Sequence, residues 1–206
     1  PVLLSANDWE CIQVLSDVHE RSIRSLAWSP SGRHIAAASF DHSISIWVLI
    51  DGTFELTTTL RGHESEVKSV SWNQSGELLV TSSRDKTAWV WENDGANNWE
   101  CISVLTGHTG DVKHVAFHPF NDDIVTASYD ETLRIWEAQD DDWYNSITLT
   151  DATSTVWDFA FNNRAQFLAT VSDDSVLRLY TYTPNTDGNA NDDIVHKQWS
   201  LVSSIQ

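Results

Sequence analysis

The sequence is poor in several residue types. Its 206 residues include no Met, 2 Cys, 4 Pro and 8 Gly, and 12 Lys and Arg stand beside 30 Asp and Glu. Two cysteines, Cys11 and Cys101, are too few for a disulfide framework, which favours a reducing compartment. The net charge of −18 disfavours binding to nucleic acid, because few cations are available to replace the counterions of a phosphate backbone.

Long apolar runs are also absent. No segment approaches the roughly 18 apolar residues that span a bilayer, and no basic-then-apolar opening resembles a signal peptide. The apolar fraction is nevertheless 41%, with 11 Trp, which is enough for a sizeable core and excludes disorder as a description of the whole chain. These observations predict a soluble globular protein of the cytosol or nucleus that does not contact membranes.

One pattern recurs at intervals of 44 and 45 residues. Three histidines are each followed 20 positions later by a serine, 22 positions later by an aspartate and 28 positions later by a tryptophan. A fourth copy keeps Ser172 and Asp174 but has Ala152 and Tyr180 in place of the histidine and the tryptophan. Such self-similarity is the signature of a repeat architecture. The three complete sets are His19, Ser39, Asp41 and Trp47; His63, Ser83, Asp85 and Trp91; and His108, Ser128, Asp130 and Trp136.

Each copy contains patterns typical of four short strands. In the second copy, alternating and β-branched residues indicate strands at 67–72, 78–82 and 88–91, separated by turn residues. A further strand precedes each histidine and is marked by an aromatic residue six positions before a Leu or Ile. These pairs are Trp9 and Leu15, Phe54 and Leu60, Trp99 and Leu105, Trp143 and Leu149, and Trp199 and Ile205.

Four strands every 44 residues, with a Gly-His pair at Gly62 and Gly107, predict an all-β fold, a β-propeller of WD-repeat blades. We expect a single propeller segment over 1–206, with repeats at about 19–60, 63–105, 108–149 and 152–205. These are four blades plus one outer strand of a longer propeller of seven blades, because both ends would otherwise leave apolar blade faces open to water. The polar stretch 181–197 is interpreted as a solvated insertion between strands.

The repeated His, Ser and Asp resemble the residues of a hydrolase catalytic triad, but their pattern in the sequence predicts that the protein is not an enzyme. A triad needs one constellation, whereas this one occurs three times with an indole at a fixed offset each time. We therefore interpret the three sets as structural tetrads, in which the four side chains form a buried hydrogen-bond chain. Histidines 44 residues apart lie on separate blades and do not form a metal site, so we expect no metal and no cofactor.

Other positions change while the scaffold repeats, and these are the candidate partner-binding residues. The residue before each turn aspartate, and the residue five positions after each histidine, should lie on the face where the histidine turns cluster, here called the top rim. Cations and aromatics on the rim of an acidic molecule suit the docking of an acidic or carboxylate-bearing peptide; solvated charges at strand starts are the alternative interpretation. The eight positions are Phe40, Arg84, Tyr129 and Asp173, and Arg24, Lys68, Lys113 and Trp157.

Several strings are more specific than the generic blade pattern. From about Asp8 to Tyr180 the chain resembles the cytosolic iron-sulfur protein assembly WD-repeat proteins, which are subunits of the cytosolic iron-sulfur targeting complex. The strings that carry the resemblance are residues 39–41, 63–70, 83–86, 89–92, 100–105, 111–115 and 128–130, with the Asp-rich run into Trp143.

This resemblance implies a non-enzymatic scaffold or adaptor of seven blades. It would dock partner subunits and client apoproteins for insertion of an iron-sulfur cluster while holding no cluster itself. Arg84, in the string Ser-Arg-Asp-Lys, matches a top-rim arginine of that family that is thought to contact partners. The degenerate fourth copy, with Ala152 and Tyr180, departs from the family pattern.

A propeller that acts as a substrate receptor or signalling module, and reads a modified or acidic peptide on the same face, is the alternative function. A reader of phosphate should bring two or more arginines to one point. Arg24 and Arg84, on adjacent blades, keep that alternative open.

Overall fold

The computed structural model describes residues 10–96, 98–140, 142–184 and 197–205. These residues form sixteen β-strands, and none of them lies in an α-helix. The described part of the chain therefore contains no helix with the length and hydropathy that a membrane span requires. The strands are β1 Ile23–Trp28, β2 His34–Ser39, β3 Ser43–Ile50, β4 Thr53–Arg61, β5 Val67–Trp72, β6 Leu78–Ser83, β7 Ala88–Asn93, β8 Trp99–Leu105, β9 Val112–Phe117, β10 Ile124–Ser128, β11 Leu133–Gln139, β12 Asp142–Leu149, β13 Val156–Phe161, β14 Phe167–Ser172, β15 Leu177–Pro184 and β16 Lys197–Ile205.

The strands form four antiparallel sheets of four strands each, in the chain orders β1–β4, β5–β8, β9–β12 and β13–β16. Each sheet is one blade, numbered 1 to 4, and its first strand is the inner strand. The inner strands contact one another in series along the chain, which places the blades side by side. The predicted all-β fold of WD-type blades is confirmed.

The core lies between the blades. Three clusters of buried side chains occupy the three interfaces between neighbouring blades. At the first interface, Ile44 and Ile46 of blade 1 meet Val67 and Leu79 of blade 2, and all four side chains are fully buried. Because a blade buries both of its faces in this way, its middle strands carry few charges.

The two end faces of this row of blades are exposed. On blade 1, Leu26 is 64% exposed, whereas Val70, the equivalent residue of blade 2, is 5% exposed. On the far face of blade 4, Leu177 is 42% exposed, whereas the equivalent Leu133 of blade 3 is 2% exposed. Both end faces therefore have the apolar character of an interface between blades, as the sequence predicts.

Two predicted elements differ in the structure. Residues 10–15, expected to continue an outer strand from Trp9, are not in a strand, and each of the four sheets has its four strands without them; Trp9 lies outside the described residues. Gln13 instead exchanges hydrogen bonds of 2.8 Å with the backbone of Phe54. In the predicted insertion 181–197, residues 181–184 and 197 belong to β15 and β16, and 185–196 lie outside the described residues.

Candidate functional site

A chain of buried hydrogen bonds links the repeated residues in blades 2 and 3. In blade 2, His63 Nδ1 is 2.8 Å from Asp85 Oδ2, and His63 Nε2 is 2.8 Å from the hydroxyl oxygen of Thr81. The indole N–H of Trp91 donates to the same hydroxyl at 3.0 Å. In blade 3 the equivalent residues are connected at 2.7–2.9 Å; they are His108, Asp130, Thr126 and Trp136.

Blade 1 reaches the same result with a different residue. Ala37 stands where blades 2 and 3 have a threonine, and the hydroxyl comes from Ser45 on β3. Ser45 Oγ is 2.8 Å from His19 Nε2 and accepts the indole N–H of Trp47 at 2.9 Å, while His19 Nδ1 is 3.0 Å from Asp41 Oδ2. Blades 1, 2 and 3 thus each have a bridging hydroxyl, but its position differs between blade 1 and the other two.

The predicted serines do not join the histidine to the tryptophan, and this part of the predicted tetrads is corrected. Ser83 Oγ accepts the backbone N–H of Asp85 at 3.1 Å and donates to the carbonyl of Ser65 at 3.2 Å. Ser39 and Ser128 make the equivalent contacts in their blades. These serines fix the turn backbone, and none of these contacts is the hydroxyl-imidazole pair that a nucleophilic serine needs.

Each turn aspartate holds a strained turn. The residue after it has a positive φ, 74° at Lys86 and 68° at Glu131, which costs a residue other than glycine about 1–2 kcal/mol. Asp85 offsets this cost by accepting hydrogen bonds from the backbone N–H groups of Glu64 and Thr87. Burial alone would raise the pKa of Asp85, but hydrogen bonds from His63 and Thr87 hold it well below its ordinary value.

Blade 4 replaces the missing histidine with an arginine from β15. Arg178 donates to both carboxylate oxygens of Asp174, at 3.1 and 2.7 Å, and to the hydroxyl of Ser172 at 2.7 Å. The two ion-pair side chains are 8% and 10% exposed. Tyr180, in place of the tryptophan, donates to Asp151 at 3.1 Å. The fourth copy is therefore degenerate in sequence but retains a buried polar link.

The residue before each turn aspartate is held at the top rim by one backbone hydrogen bond. Its N–H donates to the carbonyl of a residue just before the inner strand, at 2.8–2.9 Å in all four blades. The side chain is thereby placed beside the loop that precedes the inner strand. The four donors are Phe40, Arg84, Tyr129 and Asp173.

The second predicted set occupies an irregularity that recurs in every blade. The register of each inner strand shifts by one residue near its start, and the residue passed over is a member of the set. A β-bulge leaves its extra residue out of the ladder and changes the direction of the side chain. The four bulged residues are Arg24, Lys68, Lys113 and Trp157.

Blades 1 and 2 assemble one group of rim residues. The ammonium of Lys68 lies 4.1 Å from the centre of the Phe40 ring. Arg84 NH1 lies 3.4 and 3.5 Å from the two oxygens of Glu66. Arg21 NH2 donates to Oε1 of the same carboxylate at 3.1 Å, so two guanidinium groups from adjacent blades converge on one buried acid.

Blades 3 and 4 assemble a second group. The ammonium of Lys113 lies 5.2 Å from the Tyr129 ring centre and 5.3 Å from the Trp157 ring centre, and it donates to Asp111 at 3.0 Å. The indole N–H of Trp157 donates to Asp173 at 3.4 Å. Tyr129 and Trp157 are 59% and 47% exposed. This half of the rim offers aromatic surface, with the charge of Lys113 largely compensated by Asp111.

Arg24 belongs to neither group. It is exposed. Burial lowers the pKa of His114 on the neighbouring β9, Asp158 opposes this shift, and the charge of Arg24 adds to it. Sequence reasoning missed Arg21 and Glu66, because Arg21 has no cationic equivalent in the other blades and Glu66 has an acidic equivalent, Asp111, in blade 3 alone. Among the described residues, no three His, Cys, Asp or Glu side chains are grouped to hold a metal ion.

Comparisons with known proteins agree with this architecture. The family model described as WD domain, G-beta repeat, matches residues 9–48, 54–92, 99–137 and 143–181. The chain is 52% identical over 201 residues to a probable cytosolic iron-sulfur protein assembly protein Ciao1 of Culex quinquefasciatus, covering 96% of this chain and 60% of that protein. It is 48% identical over 178 residues to a probable CIAO1 homolog of Schistosoma japonicum, covering 84% of this chain and 51% of that protein.

A third relative is more distant. A probable cytosolic Fe-S cluster assembly factor of Schizosaccharomyces pombe is 38% identical over 211 residues, covering 98% of this chain and 35% of that protein. The chain thus spans 60% or less of the length of these three relatives. Four matched repeats and four sheets of four strands lead to one conclusion: the chain belongs to the WD domain, G-beta repeat family.

Proposed function

We propose that this chain is part of a non-enzymatic WD-repeat scaffold of cytosolic iron-sulfur protein assembly. The observation that carries the proposal is 52% identity over 96% of the chain to a protein named for that process. Identity at this level extends beyond the residues that any WD blade needs. In this role the scaffold docks partner subunits and client apoproteins in the cytosol, and the iron-sulfur cluster is cargo delivered to the client.

The top rim is the proposed docking face. There the scaffold repeats while the side chains differ from blade to blade, and the first group places Arg84, Lys68 and Phe40 together. Exposed arginines and aromatics are the residue types that contribute most to protein interfaces. The geometry of the repeated Ser, His and Asp supports a structural role, since each serine contacts backbone groups of its turn.

Affinity purification of the full-length protein, followed by mass spectrometry, tests the proposal. Subunits of the iron-sulfur targeting machinery or iron-sulfur apoproteins should be the enriched partners. A matched purification of an unrelated WD-repeat protein controls for binding to the scaffold in general. Enrichment of signalling proteins or ubiquitin ligase subunits, without any iron-sulfur protein, would contradict the proposed function.

A further inference from the structure

Glu66 is a buried acid in an exposed, cationic part of the molecule. Its side chain is 12% exposed, whereas the side chains of Arg21 and Arg84 that contact it are 50% and 58% exposed. Arg21 comes from the loop before the inner strand of blade 1, and Arg84 comes from the turn after β6 of blade 2. One carboxylate therefore ties together the rims of two blades.

The carboxylate remains ionised under the guanidinium groups. The hydroxyl of Ser65 donates to Glu66 Oε2 at 2.7 Å. This hydrogen bond, one from the backbone N–H of Glu66, and the nearby arginines lower the pKa of Glu66 from 4.5 to about 2, although burial opposes the shift. A permanent negative charge is thus available to hold both cations.

Arg21 is held by further contacts. Its NH1 donates to the carbonyl of Phe40 at 2.7 Å, and its guanidinium carbon lies 5.8 Å from the Phe40 ring centre. Lys68 also lies over this ring, at 4.1 Å. Three cations, Arg21, Lys68 and Arg84, accordingly lie near one carboxylate on a chain of net charge −18.

We propose that Arg21 and Arg84 form an anion clasp that binds carboxylates of an acidic segment in a partner protein, and that Glu66 is a positioning residue for the clasp. Guanidinium groups bind carboxylates through paired N–H donors in a fixed plane, so their orientation matters as much as their charge. Among the described residues, the side-chain hydrogen bonds of Arg84 run from NH1 to Glu66 at 3.4 and 3.5 Å, and the side chain is 58% exposed. The inference deepens the proposed function, because it assigns a chemistry to the docking face.

Substitution of Glu66 separates positioning from simple electrostatics. If charge alone governs the clasp, Glu66→Gln removes a negative charge and binding of an anion should tighten. If Glu66 orients the two arginines, the same substitution makes both side chains mobile. Binding then costs the conformational entropy of ordering them again. We expect binding to weaken about fivefold or more. Glu64→Gln is the matched control, since it removes the same charge from an exposed residue two positions away and should leave affinity unchanged or slightly higher.

The assay is an NMR titration of the full-length protein, observing the side-chain Nε–H signals of its arginines. The probe is a capped peptide, Ser-Gly-Glu-Glu-Gly-Ser, with Ser-Gly-Gln-Gln-Gly-Ser as the neutral control. The Glu peptide should shift the signals of Arg21 and Arg84 and the Gln peptide should not. Glu66→Gln should narrow both arginine signals as the side chains become mobile, a change that Glu64→Gln should not produce.

Arg21→Gln tests the second arm at a half-exposed position, where glutamine can still donate a hydrogen bond and Arg84 still neutralises Glu66. It decides the matter if Glu66→Gln fails to fold. It should weaken binding of the Glu peptide about fivefold with an unchanged melting temperature. Unchanged binding by Arg21→Gln, or binding by Glu66→Gln that is equal or tighter, would overturn the clasp. A probe with two phosphoserines that binds while the Glu peptide does not would overturn the assignment to carboxylates.

These outcomes are separate from the test of the proposed function. If the Glu peptide titration contradicts the clasp while affinity purification still recovers iron-sulfur proteins, only the roles assigned to Arg21 and Glu66 are wrong. If the clasp binds the Glu peptide while purification recovers no iron-sulfur protein, the proposed cellular role is wrong and the anion-binding site still stands.

Discussion

Replacing Thr81 by Val tests the buried hydrogen-bond chain at its centre. The Thr81 hydroxyl lies 2.8 Å from His63 Nε2 and accepts the indole N–H of Trp91 at 3.0 Å. Valine has nearly the same shape, so the substitution opens no cavity and removes one oxygen from a fully buried site. Any loss of stability therefore reports on the two hydrogen bonds.

The magnitude follows from the two groups left behind. His63 and Trp91 are each 4% exposed, so water does not readily replace the lost hydroxyl. A buried polar group that loses its partner costs about 1–3 kcal/mol. With two such groups, Thr81→Val should lower the free energy of unfolding by about 2–6 kcal/mol.

Thermal unfolding of the full-length protein, followed by circular dichroism, measures this effect. For a domain of about 150–250 residues, 1 kcal/mol corresponds to about 2–4 °C in melting temperature. We therefore expect the melting temperature of Thr81→Val to fall by at least about 4 °C.

Thr57→Val is the matched control. The Thr57 hydroxyl is also buried but has no hydrogen-bond partner among the described residues. The same change of side chain there should leave the melting temperature unchanged or raise it, because an unsatisfied polar atom is removed. Equal decreases for Thr81→Val and Thr57→Val would refute the role assigned to the bridging hydroxyl.

Three further predictions concern the acids, the fourth blade and metal content. Burial raises the pKa of Asp41, but hydrogen bonds from Ser43, the Glu20 backbone and His19 together lower it from 3.8 to about 2. The ionised carboxylate therefore stabilises the folded state by about 2 kcal/mol above pH 4, and this stabilisation is lost as the pH falls towards 2. Urea midpoints should fall between pH 5 and pH 3 more steeply for the wild type than for Asp41→Asn, and parallel curves would contradict this. Arg178→Met leaves Asp174 without its buried partner and should lower the free energy of unfolding by about 3 kcal/mol or more, measured by thermal unfolding. Arg164→Met, at an exposed arginine, is the control. Equal losses of stability in the two variants would show that the ion pair adds nothing. Elemental analysis of the purified full-length protein should find neither iron nor zinc near one per chain, and a firmly bound cluster would overturn the scaffold account.

Repetition explains what could be predicted from the sequence. His63, Asp85 and Trp91 recur at fixed offsets in three copies, so their association could be recognised without coordinates. The sequence places a serine in each tetrad, because Ser83 has an equivalent in every copy. The bridging hydroxyl of Thr81 has no such regularity, since Ala37 is its equivalent in blade 1.

Residues outside the repeat could not be placed in this way. The position of Glu66 is occupied by Ser22 in blade 1, Asp111 in blade 3 and Thr155 in blade 4, so an acid recurs in only two of the four copies. Its pairing with Arg21 depends on how two neighbouring blades meet and on the rotamers of long side chains. Residues 10–15 are not in the outer strand predicted from Trp9, since a strand also needs a pairing partner and the periodic pattern alone does not supply one.

Partner binding by Arg84→Glu in the full-length protein tests the central claim most directly. The side chain is 58% exposed and its contacts with Glu66 are long, so folding should change little. Reversal of charge at a contact arginine is worth about 2 kcal/mol or more. The account predicts a melting temperature within a few degrees of wild type and at least about tenfold weaker affinity for the iron-sulfur assembly subunits or clients recovered by affinity purification. Equal affinity of variant and wild type, measured by surface plasmon resonance with Lys86→Glu as the control in the same turn, would contradict the top rim as the docking face.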